Sequence, residues 1–231
     1  QKEFKNAQIV LIGDEDRIKQ FIPEGRTIEI IHTKEVIGMD ENPLQAVKEK
    51  RNSSMVLGLS MLKKGEGDAF VSAGSTGALI TGASLFVGRI KGIRRVALAT
   101  VLPNGGKGCI LLDSGANMDC SEEFITQFAV MGSIYMEQVM GIDSPRVGLL
   151  NVGTEEIKGN EAVKAAYNSI ANSGLNFVGN IEARQFPDNV CDVLAADGFA
   201  GNVMLKSIEG TASFMTKNIK AMFKKNPITL M

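Results

Sequence analysis

Short apolar runs recur along the chain, and most stop at a cluster of Gly, Ser, Thr, Asn or Asp. The sharpest examples are Asp68-Ala-Phe-Val-Ser-Ala-Gly-Ser-Thr-Gly77, Ile110-Leu-Leu-Asp-Ser-Gly-Ala-Asn117, Gly148-Leu-Leu-Asn-Val-Gly-Thr-Glu-Glu-Ile-Lys-Gly-Asn160 and Val193-Leu-Ala-Ala-Asp-Gly-Phe-Ala-Gly-Asn202. Each reads as a buried strand followed by a tight turn into a helix. With these, strands are expected at Ile9 to Ile12, Thr27 to His32, Asp68 to Val71, Arg146 to Asn151, Asn176 to Val178 and Val190 to Ala196. Val96 to Leu102 and Gly108 to Leu112 flank Pro103-Asn-Gly-Gly-Lys107, a turn suited to a hairpin, so part of the sheet is expected to be antiparallel.

Helical spacing fills the intervals. Glu15 to Phe21 reads as a helix ending before Pro23. Asn42-Pro43 opens another that carries Leu44, Val47, Met55, Leu59 and Leu62. Thr76 to Val87 is a small-residue helix able to lie close on the sheet. Ser121 with Glu122 and Glu123 starts a helix striped by Phe124, Phe128, Met131, Ile134 and Tyr135. Asn160 to Asn172 and a last helix from about Asn202 complete the pattern. Alternation of this kind predicts a three-layer α/β/α fold with a mostly parallel sheet, in one α/β domain over residues 1–231 with room for a smaller subdomain. No internal repeat or low-complexity linker interrupts it. Gln1-Lys-Glu-Phe opens inside a polar segment and Pro227-Ile-Thr-Leu-Met closes without a polar stop, so a longer parent chain is expected.

Composition narrows the function classes. The 231 residues are 44% apolar and 22% charged, the balance of a soluble globule. Twenty-five basic and twenty-six acidic residues leave a net charge of −1, which argues against general nucleic-acid binding. Cys109, Cys120 and Cys191 have no paired spacing, and with one His and no CxxC no metal site is expected. That cysteine usage, no apolar stretch of roughly 18 residues and no signal peptide predict a cytoplasmic protein. Residues 213–225 form a candidate amphipathic helix. Phe214, Met215, Ile219, Met222 and Phe223 share one face against Lys217, Lys220, Lys224 and Lys225, suiting an anionic membrane, an acidic partner, or a dimer or core contact.

The turns carry the candidate chemistry. In a parallel sheet they line up outside the carboxyl ends of the strands, where backbone N–H groups and small polar side chains suit phosphate. Neither GxGxxG after a strand nor GxxxxGK[ST] occurs, so the usual dinucleotide turn and a P-loop lose support. Ser75, Thr76 and Gly77 offer donors at a helix start, or simply a Gly-rich connection. Asp113 to Asn117 is a similar turn, with Asp113 equally a helix cap. Gly153 to Asn160 concentrates Glu155, Glu156, Lys158 and Asn160 between two glycines, which implies a shaped loop beside the plainer reading of a solvated face. Lys158 can neutralise phosphate, and Asn160 can donate to a carbonyl oxygen or cap a helix. Asp197 caps the next helix or serves the site with Asn202. Glu182 and Arg184 bind an anion or each other. His32 more often fills a hydrogen bond than catalyses, and Glu122 and Glu123 beside Cys120 raise its pKa, making it a poor nucleophile. With no Ser–His–Asp or Cys–His set, acyl chemistry here avoids a covalent enzyme intermediate.

Several longer motifs in order add a resemblance. They are His32-Thr-Lys-Glu-Val-Ile37, Lys50-Arg-Asn-Ser-Ser-Met55, Ser72 to Ala78, Asp113 to Asn117, Gly153 to Asn160, Gly179-Asn-Ile-Glu-Ala-Arg184 and Asp197-Gly-Phe-Ala-Gly-Asn202. Through them the chain resembles the phosphate acyltransferases of bacterial phospholipid synthesis, the acyl-ACP:phosphate acyltransferases. The resemblance implies a fold like the phosphotransacetylases and isocitrate/isopropylmalate dehydrogenases. It also implies acyl-phosphate formation from long-chain acyl carrier protein and inorganic phosphate, no cofactor, a homodimer, and peripheral membrane contact. The family's opening strand, its Asp-Ala-Met-Gly-Gly-Asp turn and its late Gly-rich segment are absent from this sequence. Ser75 stands where the family commonly has Asn, and Ser114 where Val is frequent. On that footing Ser75, Thr76 and Lys158 are assigned to phosphate, and Asn117, Asn160 and Asn202 to phosphate or oxyanion. Glu155, Glu156, Glu182 and Asp197 are assigned to orientation and local charge, with Gly77 and Arg184 at the substrate. The rivals are a phosphotransacetylase-like enzyme using short acyl-CoA and a non-catalytic membrane-associated scaffold that binds anions or lipid. A nicotinamide dehydrogenase, lacking its fingerprint, is a weaker third.

Overall fold

A computed structural model describes residues 7–223, and the chain divides after Gly92 into two units. In unit 1, β1 (Val10–Gly13) and β2 (Glu29–His32) pair in parallel, Val10 opposite Glu29 and Gly13 opposite His32. Asp14 caps α1 (Glu15–Lys19) through Asp16 N–H, and His32 Nδ1 accepts from Glu15 N–H at 3.1 Å. The lone histidine therefore fills a hydrogen bond, as its isolation suggested.

The helix expected from Asn42 onward is two helices, α2 (Pro43–Glu49) and α3 (Ser54–Lys64). Lys50 leaves the helical region and Ser53 restarts the chain, its Oγ accepting from Val56 N–H. The cap-formers Asn52, Ser53 and Ser54 favour a break over continuation. α4 (Thr76–Gly82) runs into a π-helical turn, Ala83–Val87. Its small residues close on helices rather than on a sheet: a Cβ on Gly77 would meet Pro43 at 3.0 Å and one on Gly82 would meet Leu59 at 2.6 Å. Val47, Met55, Val56, Leu59 and Ala78 form the core, with Phe70 and Phe86 against it. The strand expected at Asp68 to Val71 is not formed. Phe70 instead packs into the space above Gly58 of α3, which turns the segment toward a helix.

Unit 2 holds a five-stranded sheet. Its strands are β3 (Thr100–Leu102), β4 (Cys109–Leu112), β5 (Val147–Asn151), β6 (Phe177–Glu182) and β7 (Val193–Ala195), in the order β3-β4-β7-β5-β6. β3 is antiparallel to β4 across the expected hairpin, and the other pairings are parallel. β4 and β7 are buried at every residue, the continuous apolar pattern of strands covered on both faces. One face, with Ile110, Leu112, Val147 and Leu149, packs on Phe128 of α5 (Glu122–Gln138) and Ile170 of α6 (Glu161–Ala171). The other, with Leu111, Leu150, Ile181 and Leu194, packs on Phe186 of a 3-10 turn (Ala183–Asp188) and Met204 of α7 (Gly198–Phe223). That is the three-layer arrangement.

Two boundaries moved for identifiable reasons. The strand expected from Val96 begins only at Thr100, because the backbone at Val96 and Leu98 is bonded to the loop after β4. α7 starts four residues before Asn202, since Asp197 caps it there. At the opposite end of the sheet, Arg146 donates to Asp192 and Asn189 and ties the start of β5 to that of β7. Burial pushes the Asp192 carboxyl up, but the bonds from the Arg146 side chain and backbone outweigh it and hold the group below the ordinary carboxylate value. Phe214, Met215, Ile219, Met222 and Phe223 are exposed on α7, while Lys224 and Lys225 lie outside the described residues. Among the described residues no helix is long and apolar enough to cross a membrane.

Candidate active site

The carboxyl edge of the unit 2 sheet is where its polar turns collect. After β4, Asp113 is fully buried, and its two oxygens accept from the N–H groups of Leu98, Gly115, Ala116 and Asn117. Asn117 Nδ2 donates to Asp113 Oδ2 and to the Val96 carbonyl, both at 2.8 Å. Asp113 thus caps no helix; it is the internal acceptor that folds residues 113–117 into one shape. Asn117 spends both amide hydrogens holding that shape and retains only its Oδ1.

α7 lies directly on this loop. Gly198 N–H donates to the Asn117 carbonyl at 2.9 Å, and a Cβ on Gly201 would sit 1.9 Å from the Asp113 carbonyl oxygen. Only glycine permits this approach. Asp197 Oδ1 accepts from Ala200 N–H at 2.8 Å, so the cap reading of Asp197 holds. One residue past the close contact, the Asn202 amide lies against Gly115 and has no hydrogen-bond partner among the described residues.

After β5, residues 152–160 form a shaped loop. Asn151 Nδ2 donates to the Lys158 carbonyl at 3.0 Å, and Gly159 turns the chain with φ +95. Lys158 is exposed, and among the described residues its ammonium has no ion-pair partner. Asn160 caps α6, its Oδ1 accepting from Val163 N–H at 2.9 Å. Glu155 accepts from Asn180 Nδ2 through its backbone carbonyl, leaving Asn180 Oδ1 buried and unbonded. Glu156 accepts from the Tyr167 hydroxyl at 3.0 Å; burial first and this carboxylate second raise the Tyr167 pKa. Glu182 and Arg184 pair with each other at the end of β6.

A cleft of about 950 Å³ opens beside these turns. It brings Asn160, Arg184 and Asp197 together with Asn151, above a long apolar lining. Asn117, Asn202, Lys158, Glu155, Glu156 and Glu182 stand on the same sheet edge without lining it. In unit 1, Ser75 is buried and caps α4 through Ala78 N–H, with Thr76 and Gly77 exposed in the first turn. Cys120 is raised in pKa, though by burial first and then by Asp113, Asp197 and Asp119, not by Glu122 and Glu123.

Comparison with known proteins decides the family. The family model described as "Fatty acid synthesis protein" matches residues 1–230. A phosphate acyltransferase from Caldanaerobacter subterraneus subsp. tengcongensis is 50% identical over 228 residues, covering 99% of this chain and 69% of that protein. The chain belongs to the phosphate acyltransferase family. A Bacillus licheniformis phosphate acyltransferase is 48% identical over 220 residues, 95% of this chain and 67% of its own. Among solved structures, a phosphotransacetylase from Staphylococcus aureus aligns with a TM-score of 0.64 at 16% identity, over 92% of this chain and 76% of that one. Another from Streptococcus pyogenes gives 0.61 at 17% identity, over 87% and 73%. These likenesses place the family on the same mostly parallel α/β fold.

Proposed function

We propose that this chain transfers a long-chain fatty acyl group from acyl carrier protein to inorganic phosphate, giving acyl-phosphate for phospholipid synthesis. The observation that supports it best is the pairing, at one sheet edge, of Lys158, which has no ion-pair partner among the described residues, with a cleft that is polar at its mouth and apolar along its length. Phosphate at neutral pH is already an anionic nucleophile, so the protein needs position and charge more than a strong base. Hydrogen phosphate attacks the thioester carbonyl, a tetrahedral oxyanion forms, and the carbon–sulfur bond breaks. The phosphate proton ends on the departing thiol, leaving acyl-phosphate and free carrier.

Lys158 offsets the repulsion between phosphate and the developing oxyanion. The Asn202 amide, unpartnered among the described residues, and the Nδ2 of Asn160, whose Oδ1 is spent on its helix, are the donors offered to phosphate or oxyanion. Asn117 acts through the loop it holds. Asp197 fixes the start of α7, Glu156 fixes Tyr167, and Glu155 and Glu182 shape the local charge around Lys158 and Arg184. In unit 1 the exposed first turn of α4, with Thr76 and Gly77 behind the Ser75 cap, is assigned to phosphate. The exposed apolar residues of α7 beside Lys217 and Lys220 suit peripheral membrane contact in a cytoplasmic protein, and a homodimer is assigned with them.

The test is acyl-phosphate formation from palmitoyl-ACP and phosphate, trapped with hydroxylamine, using this span and the full reading frame. Phosphate-dependent hydroxamate is expected. None from either, with protein folded and acyl-ACP intact, overturns the reading. Faster turnover of acetyl-CoA than of palmitoyl-ACP moves it to a short-acyl phosphotransacetylase.

A further inference from the structure

We propose that the apolar cleft along α7 seats the fatty acyl chain, and that Ser207, Thr211 and Ala212 at its far end set the chain length accepted. The proposal rests on the acyl-transfer reading above. The lining residues of α7 fall in adjacent pairs four apart, from Phe199 and Ala200 to Thr211 and Ala212. Pairs at that spacing form one continuous stripe of helix surface. From Phe199 to Ala212 the stripe is ~20 Å long at ~1.5 Å per residue. A bilayer leaflet, half of a ~30 Å hydrocarbon core, shows that a single long acyl chain fills a space of this order.

Polarity gives the groove a direction. Asn160, Arg184 and Asp197 lie at the end where α7 begins, with Val163 beside Asn160, and along α7 the lining is Val203, Met204 and Ile208, then Thr211 and Ala212, with Ser207 among them. Met204 is buried and forms floor, whereas Phe199 and Val203 are 64% and 52% exposed. Exposed apolar side chains bordering a concave surface suit a ligand groove, as they also suit a protein or membrane contact. The volume of about 950 Å³ is at the upper end of small-molecule sites. A ligand polar at one end and apolar for most of its length matches both features, and a fatty acyl thioester or acyl-phosphate is such a ligand. The reacting carbonyl then lies at the mouth, beside the loop that carries Lys158, and the methyl end reaches Thr211 and Ala212.

The experiment uses the full reading frame and octanoyl-, lauroyl- and palmitoyl-ACP with phosphate. Thr211→Trp and Ala212→Phe fill the far end. Each methylene left unburied costs roughly fourfold. Palmitoyl transfer should therefore fall on the order of 100-fold relative to octanoyl transfer if several methylenes lose their seat. Thr211→Ala, which removes atoms and keeps the fold, should shift preference a few-fold toward longer chains. Palmitoyl-ACP carrying a terminal diazirine should label residues 207–212. Wild-type activity with an unchanged chain-length profile in all variants, or labelling elsewhere, overturns the groove. The same holds if 203–212 prove covered by other polypeptide of the protein or by a second copy. Absence of acyl-phosphate from the wild type at every chain length fails the acyl-transfer reading itself.

Discussion

Replacing Gly201 by Ala tests whether the contact between α7 and the loop after β4 governs the site. The new Cβ would sit 1.9 Å from the Asp113 carbonyl oxygen and 3.0 Å from its carbon, where ordinary contact begins near 3.4 Å. The obstructing carbonyl cannot swing aside. Its neighbours on either side are bonded, Asp113 N–H to the Ala196 carbonyl and Ser114 N–H to the Leu98 carbonyl, both at 3.0 Å. The helix must therefore lift by more than about 1 Å. Overpacking of this kind costs about 1–3 kcal/mol, and a backbone obstacle belongs at the upper end. Alanine returns ~1 kcal/mol of helix propensity, leaving a net loss of about 2 kcal/mol in unit 2. Asn202 moves with the turn, and a displacement near 1 Å costs on the order of 100-fold in rate. Gly210→Ala is the control in the same helix, because nothing lies within 4 Å of its added Cβ. It should gain up to ~1 kcal/mol and leave turnover unchanged. Hydrogen exchange of the β4 and β7 amides reads stability, and hydroxylamine trapping reads activity. If Gly201→Ala matches the wild type, or moves with Gly210→Ala, the reasoning is wrong.

Lys158→Ala should raise the KM for phosphate on the order of tenfold or more with a smaller effect on kcat, and Lys158→Arg should recover much of it; unchanged phosphate dependence removes Lys158 from the site. Cys109 and Cys191 lie 3.8 Å apart with both side chains buried, and their mutual hydrogen bond and burial push the Cys109 thiol up. A thiol reagent at neutral pH should therefore leave both unmodified and reach Cys120 only slowly, all three reacting after unfolding; rapid reaction of all three in the native protein contradicts this. Asp192→Asn should cost about 2 kcal/mol near neutral pH by weakening the Arg146 clamp. The folded pKa of Asp192 is depressed, so its stabilisation is present above the unfolded value of ~3.9 and lost as pH falls through the lower folded value. Denaturation midpoints of wild type and variant should begin to converge below about pH 4 and meet as the pH falls through the lower folded value, and a gap that stays constant across that whole range refutes the assignment.

Local chemistry was legible in the sequence wherever the partner was also local. Asn42, Asp197 and Asn160 cap helices that begin within three residues of them, and Pro103 to Lys107 makes the hairpin its turn residues suggest. Glu182 and Arg184, two residues apart, find each other. Asp113 was opaque because one of its donors is Leu98, fifteen residues earlier. The same bond withheld Val96 to Leu98 from the strand their apolar character suggested. Residues 68–71 have strand composition, yet composition supplies no neighbour to pair with. The groove was hidden by a boundary: with α7 begun at Asn202, Phe199 and Ala200 fall outside the stripe, and Ser207 and Thr211 dilute the rest. Of the proposed site, the turns were readable and their division of labour was not. Only the fold shows that the Asn117 amide is committed while the Asn202 amide has no partner among the described residues.

The way α7 is fastened makes it a lever. It is 26 residues long, about 39 Å, yet its only buried residues are Gly198, Gly201 and Met204, all in the first two turns. The fulcrum is the glycine contact on the Asp113 loop, and the arm beyond it carries no buried anchor. A tilt that moves the arm by ~0.5 Å at ~15 Å from the fulcrum moves Phe223 by more than ~1 Å. Run in reverse, whatever steadies the far tip steadies Asn202 and the loop beneath it. The helix thereby joins the proposed site at one end of the sheet to events tens of ångströms away without any rearrangement of the strands.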